Sequence, residues 1–257
     1  MRVRLGILVA TVLVAVSPTP GVAQQSPPPT AEQLAARQRA ADERLRNDWA
    51  ELQRYRQANA ELRPPAPGEQ RVVFMGNSIT DVWARYFPAM FPGKPYVGRG
   101  ISGQTTPQML VRFRQDVLAL QPAVVVILAG TNDIAGNTGP ATLAMIEDNF
   151  MSMTELAQRN GIRVVLASVL PVYDYPWRPG LTPAPKIAAL NAWMKAYAAR
   201  VGAVYLDYYT AMVDERQGLR SDLTYDGVHP TEAGYRVMAP LADHAIQEAL
   251  RAGPPAR

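Results

Sequence analysis

Val124-Val125-Val126-Ile127-Leu128-Ala129-Gly130-Thr131-Asn132-Asp133 joins five aliphatic residues, four of them β-branched, to a turn of small and polar ones. A strand without polar alternation is buried on both faces, the condition of a central strand in a parallel sheet. Outward from it, strand-like runs alternate with helical stripes. Residues 72–75 (Val-Val-Phe-Met) form a short apolar strand, Tyr96-Val97 begins a weaker one, and residues 163–169 and 204–206 supply two more. Helical periodicity relates Leu110, Phe113, Val117 and Leu120, then Leu143, Ile146, Phe150 and Met153, then Ile187, Leu190, Met194, Tyr197 and Val201. Residues 231–250 read as a closing helix, kinked or restarted at Pro240. Such alternation predicts an α/β chain with its sheet covered on both faces. With right-handed crossovers it becomes a three-layer α/β/α sandwich around a mainly parallel five-stranded sheet. In such sheets a site lies beyond the carboxyl ends of the strands.

The first residues read as an export signal. Arg2 and Arg4 precede an apolar run over 5–16, too short to span a bilayer comfortably, and Gly21-Val22-Ala23 offers small residues for cleavage after Ala23. The domain organisation expected is a signal peptide over 1–23, a linker and N-terminal amphipathic helix over 24–68, and an α/β domain over 69–253. Within the second part, residues 24–30 are an extended linker. Leu34, Ala41, Leu45, Trp49, Leu52 and Tyr55 predict one helix over 31–62, packed on the domain or on a partner and ended by Pro64, Pro65, Pro67 and Gly68. The localisation implied is periplasmic or secreted, with no stable membrane insertion after cleavage. Without Arg2 and Arg4 the chain carries 24 basic and 22 acidic side chains, so the high isoelectric point is a small imbalance and predicts no nucleic-acid partner. The chain has no Cys, so stability must come from packing, and no Cys follows the apolar run to carry a lipid. With two His in all, a structural zinc is not expected, and no metal or cofactor is implied.

Four clusters carry candidate chemistry. Gly76-Asn77-Ser78-Ile79-Thr80 follows the first strand and places a hydroxyl where a nucleophile faces substrate, though such loops hold Gly, Asn and Ser for turn reasons too. Gly100-Ile101-Ser102-Gly103-Gln104-Thr105-Thr106 follows the second strand; it reads equally as a close-approach loop and as a turn into a helix capped by Thr106. Gly130-Thr131-Asn132-Asp133 offers a side-chain amide to a developing oxyanion, or an Asx-turn. Asp226-Gly227-Val228-His229-Pro230 offers an imidazole base with a carboxylate three residues before it, or a loop that starts the last helix.

Taken together and in this order, the clusters resemble the blocks of the SGNH hydrolases, also called GDSL-type lipases and esterases, over roughly residues 70–250. The resemblance implies the flavodoxin-like SGNH fold and a serine hydrolase acting on esters. It implies Ser78 as nucleophile, His229 as base and Asp226 as the group orienting the base, with the backbone N–H groups of Ser78 and Gly103 and the Asn132 amide as oxyanion hole. Asn77 stands where most members carry Asp, and Gly98 where some carry Asn. His244, the other histidine, falls inside the last helix and is assigned no chemistry.

The substrate is less legible. Tyr173, Tyr175, Trp177 and Arg178 lie in a proline-rich segment after the fourth strand, at the expected site end, where aromatic faces suit sugar or aryl rings. Asn77, Tyr173 and Trp177 are the candidate substrate-binding residues, while Trp83, Tyr86 and Phe87 either line the same pocket or are core. The expected substrates are short-chain, chiefly acetyl, esters of carbohydrates. A lipid- or aryl-ester hydrolase (lysophospholipase, arylesterase or thioesterase), an acyltransferase and a non-catalytic carbohydrate-binding module are the alternatives. Oligomeric state is not readable.

Overall fold

The structure, a computed structural model, describes residues 30–253; the expected signal peptide and most of the linker lie outside them. In chain order the elements are α1 (Ala31–Asn47), α2 (Arg56–Glu61), β1 (Val72–Gly76), α3 (Ser78–Trp83), α4 (Phe87–Met90), β2 (Tyr96–Gly100), α5 (Thr106–Asp116), β3 (Val124–Leu128), α6 (Thr131–Ile134), α7 (Leu143–Arg159), β4 (Arg163–Ala167), α8 (Ala184–Val201), β5 (Val204–Leu206), α9 (Tyr209–Met212) and α10 (Glu232–Arg251). The five strands form one parallel sheet in the order β2-β1-β3-β4-β5. The chain leaves β1 toward one edge for β2 and returns past it to β3, so the carboxyl ends of β1 and β3 flank the switch point where such sheets bind ligands.

The period-two alternation of the strands divides the core in two. Val73, Met75, Val125, Ile127, Val164 and Leu166 pack on one face with Phe113 of α5, Phe150 of α7 and Leu190 of α8. Val72, Phe74, Val124, Val126 and Val165 pack on the other with Trp83 of α3, Phe87 of α4 and Met238 of α10. Trp83 and Phe87 are thus core, with Trp83 stacked on Tyr235 at a centroid distance of 5.6 Å. The hydroxyl of Tyr235 donates to Ile79 O at 2.9 Å, tying the last helix to α3. His244 is exposed on α10.

Two expectations are corrected. The single helix over 31–62 is two helices. It ends at Asn47 because the Asp48 carboxylate accepts from Leu52 N (2.8 Å) and Gln53 N (2.9 Å), folding the chain into turns with Glu51 left-handed at φ 51°. Trp49 is exposed and lends its carbonyl rather than its ring to the contact with α5. Residues from Glu43 onward belong to the same compact unit as the sheet. The last helix does not restart at Pro240. It runs unbroken because Pro240 and Arg236 are exposed, so the carbonyl left without an N–H partner meets water. No helix among the described residues is long and apolar enough to cross a membrane.

One close approach fixes α3 against β2. A Cβ on Gly100 would lie 2.1 Å from Asp81 N, 2.6 Å from Thr80 C and 2.7 Å from Asn77 O, all backbone atoms that no rotamer change relieves. Gly100→Ala is therefore expected to lower stability by about 3 kcal/mol, the upper part of the overpacking range. Urea unfolding checks this, and a midpoint equal to the parent's would show that the two segments separate freely.

Candidate active site

Each cluster follows a strand or precedes α10, and the topology brings them to one end of the sheet. Ser78 is the first residue of α3. The Asn77 side chain caps that helix by accepting from Ile79 N at 3.1 Å, and Asn77 is buried. Asn77 therefore acts as a cap, and it lies outside the lining of the cleft described below.

Ser78 Oγ lies 2.9 Å from His229 Nε2, across 151 residues of sequence. On the far side of the ring, His229 Nδ1 lies 2.7 Å from Asp226 Oδ2. The other carboxylate oxygen, Oδ1, accepts from Val228 N (3.0 Å) and His229 N (2.7 Å), so one side chain both closes the loop and grips the ring. Thr224 Oγ1 completes the turn by donating to His229 O at 2.7 Å and accepting from Gly227 N at 3.0 Å. Facing a carboxylate, Nδ1 carries the ring proton, which leaves the Nε2 lone pair to accept from Ser78. Partial burial pushes the Asp226 carboxyl up, but the hydrogen bonds from His229 and Val228 outweigh it and hold its pKa below the ordinary value.

The oxyanion candidates converge from the segments that follow β1, β2 and β3. Gly103 has φ +82°, a conformation that a side chain would strain. Among the described residues, the backbone N–H groups of Ser78 and Gly103 donate to no protein acceptor. Asn132, the second residue of α6, is buried, and its Nδ2 donates to Gln104 O at 2.9 Å, which fixes the amide and leaves its second N–H. Asp133 binds the loops together, its carboxylate accepting from Thr106 N (3.0 Å) and Thr106 Oγ1 (2.6 Å). Burial raises the Asp133 pKa, against the opposing effect of those bonds. The cap of α5 is Thr105, one residue before the expected Thr106.

Ser78, Gly103, Asn132 and His229 share one cleft of about 380 Å³ with Val82, Ser102, Asn137, Trp177 and Tyr225. Trp177 was expected there. Tyr173 was too, but it lies outside this lining, its ring under the Arg216 guanidinium at 4.8 Å. Tyr175 is buried below, its hydroxyl donating to Thr131 O at 2.9 Å. Tyr225 and Asn137 were missed. The Tyr225 ring stacks on His229 (5.7 Å, 12° between planes) while 65% exposed. Asn137 accepts from Trp177 Nε1 (3.2 Å) and donates to Gly103 O (3.1 Å). Adjacency to Asp226 was the available signal for Tyr225; Asn137 had none.

A family profile described as GDSL-like lipase/acylhydrolase matches residues 74–237. A crystal structure from Bacteroides fragilis, assigned as an acylhydrolase, is 51% identical, with 80% of this chain and 100% of that one covered and a TM-score of 0.77. A GDSL-like lipase of Bacteroides thetaiotaomicron is 48% identical, covering 79% and 100%, with a TM-score of 0.76. An uncharacterized lipoprotein of Bacillus subtilis is 33% identical over 78 residues, 29% of this chain and 32% of that protein, so this match spans about a third of the relative.

The lowered Asp226 pKa has a stability consequence. A carboxyl held down in the folded state contributes stability above its unfolded pKa, about 3.9, and loses it as pH falls through the folded value. The stability gap between the parent and Asp226→Ala is expected to shrink as pH falls below about 4. Chemical unfolding at several pH values reads this directly.

Proposed function

The chain belongs to the GDSL-like lipase/acylhydrolase family and is a serine ester hydrolase, and from that premise we propose that it cleaves short-chain acyl esters of carbohydrates through an acyl-enzyme on Ser78. Ser78 Oγ attacks the ester carbonyl carbon as its proton passes to His229 Nε2. Asp226 keeps the imidazole in the accepting tautomer and stabilises the imidazolium. The carbonyl oxygen, now negative, is held by the N–H groups of Ser78 and Gly103 and by the Asn132 amide. Collapse breaks the bond to the alcohol oxygen, which takes the proton from His229. Water, deprotonated by the same nitrogen, then attacks the acyl carbon and releases the acid and Ser78. The observation carrying this reading is the unbroken relay from Ser78 Oγ through both ring nitrogens to Asp226, at 2.9 and 2.7 Å.

The acyl preference is supported by the cleft's composition. Val82 is its one aliphatic lining residue, and the rest of its apolar wall is largely the rings of Trp177 and Tyr225, whose flat faces suit a sugar ring beside a short acyl group. The carbohydrate preference is supported by Trp177 and Tyr225, both exposed and with ring centroids 6.2 and 5.7 Å from that of His229. A sugar ring bearing the ester would lie against these faces, with Asn137 and Ser102 beside its hydroxyls. Export is proposed as well, supported by the charged, apolar and small-residue sequence of residues 1–23.

Asn132→Ala is expected to lower turnover about 100- to 1000-fold, and Ser78→Ala to lower it further. Asp226→Asn is expected to cost about 10⁴-fold with the fold intact. The Asn side chain would keep its oxygen on the backbone N–H groups and turn its amide nitrogen to Nδ1, driving the ring proton onto Nε2. Steady-state kinetics measure all three, and substantial residual activity in Ser78→Ala would remove the nucleophile assignment.

On p-nitrophenyl esters, kcat/KM is expected to be highest for acetyl and to fall steadily toward palmitoyl, with acetate released from acetylated xylan. A preference for long chains would replace the carbohydrate reading with lipid hydrolysis. Strong p-nitrophenyl acetate cleavage without release from glycan would favour an aryl ester.

A further inference from the structure

Residues 48–62 precede the span that the family profile covers, yet they engage the loop that carries one proposed oxyanion donor, Gly103, and orients another, Asn132. Three glutamines reach out to this segment, and each finds a main-chain carbonyl. Gln104 Nε2 donates to Ala50 O at 2.8 Å, Gln108 Nε2 to Trp49 O at 2.7 Å and Gln115 Nε2 to Leu52 O at 2.8 Å. In return the Tyr55 hydroxyl donates to Gly100 O. Its ring lies under the Arg99 guanidinium at 4.8 Å. Asn59 closes the far end, with Nδ2 on Asp116 Oδ1 at 2.7 Å and Oδ1 accepting from Arg99 Nε at 2.8 Å.

Gln104 joins this segment to the site. Its side chain is buried between Ala50 O and the guanidinium of Arg112, whose Nε donates to Gln104 Oε1 at 2.6 Å. Its main-chain carbonyl is the acceptor that fixes the Asn132 amide at 2.9 Å, and its neighbour is Gly103. A displacement of Gln104 therefore moves a backbone donor and the orientation of a side-chain donor at once. Asp81 adds a second link, accepting from Ser102 Oγ at 2.9 Å with Arg54 3.6 Å away.

We propose that residues 48–62 are a clamp that positions the oxyanion hole by holding loop 100–104 through Gln104 and Tyr55, so that the functional unit begins near residue 48 rather than at 69. This rests on the assignment of Gly103 and Asn132 as oxyanion donors. The clamp touches no reacting atom. Its effect belongs to kcat, because the donors it places matter most once charge has developed on the carbonyl oxygen.

The test uses the full chain and p-nitrophenyl acetate. Gln104→Glu is isosteric and keeps the acceptor for Arg112, but turns the bond to Ala50 O into a repulsion between oxygens. Tyr55→Phe removes one half-buried hydroxyl and serves where Gln104→Glu does not fold. Each is expected to lower kcat about 10-fold and the pair up to about 100-fold, the scale of a misplaced catalytic group, with KM nearly unchanged. In an Asn132→Ala background the same changes are expected to cost clearly less than in the parent, because only the Gly103 donor is left to misplace and groups acting through one another are not additive. Equal losses in both backgrounds, or an unaltered kcat, would overturn the clamp even if thermal stability fell. An Asn132→Ala variant with parental kcat would instead remove the oxyanion assignment and the clamp with it. A normal loss in Asn132→Ala beside silent Tyr55→Phe and Gln104→Glu would remove the clamp alone.

Discussion

Arg112 is a full charge without exposed surface, and the site is built around it. Its Nη2 donates to Gly76 O at 2.9 Å and its Nη1 to Arg99 O at 2.9 Å, so one guanidinium joins the carboxyl ends of β1 and β2. Its Nε holds Gln104, and Asp116 Oδ2, equally buried, lies 2.9 Å from Nη1. Burial lowers the Arg112 pKa, and Asp116 is the main influence opposing it. A buried pair of this kind is weak evidence of net stability, since desolvating two ions offsets most of their attraction. Its value here is geometric. A planar fork with several N–H groups is suited to register two strand ends and the following loop together, which an apolar side chain of equal volume would leave unbonded.

From that fixed corner the rest of the site follows. β1 ends under Arg112 and hands the chain to Ser78, while β2 ends under it and hands the chain to Gly103. β3, on the other side of the switch point, delivers Asn132. The imidazole arrives last, from a loop that ties itself with Asp226 and Thr224 and is anchored to α3 through Tyr235. Three of these parts follow directly on strands of the parallel sheet. The fourth needs only one tight turn of its own.

The layers, the parallel sheet and the positions of the four clusters were legible because each rests on local chemistry, whereas the strand order came only with the family resemblance. Val124–Leu128 has no polar residue to present to water, and Ser78, Asn132 and His229 sit at chain positions that a parallel sheet brings to one end. What was not legible depended on partners distant in sequence. The helical spacing through Trp49, Leu52 and Tyr55 was real, but Asp48 found two backbone N–H groups to cap and ended the helix, a local bond that periodicity does not register. Tyr173 was an aromatic residue in the right loop, and Arg216 took its ring. Asn77, a candidate for substrate contact, is a buried cap on α3. The Gln104, Gln108 and Gln115 contacts were invisible because their acceptors are carbonyls some fifty to sixty residues earlier.

That choice of acceptor governs how this protein can drift. A carbonyl is the same whatever residue bears it, so the glutamines recognise a path of the chain and are blind to its side chains. Trp49 is exposed and can be replaced by almost any residue that follows the same turns, whereas Ala50 is buried and must stay small, and Gln104 is not free to change alone. A chain can therefore keep this brace with a different side chain at an exposed position such as Trp49, provided its backbone follows the same path before the first strand.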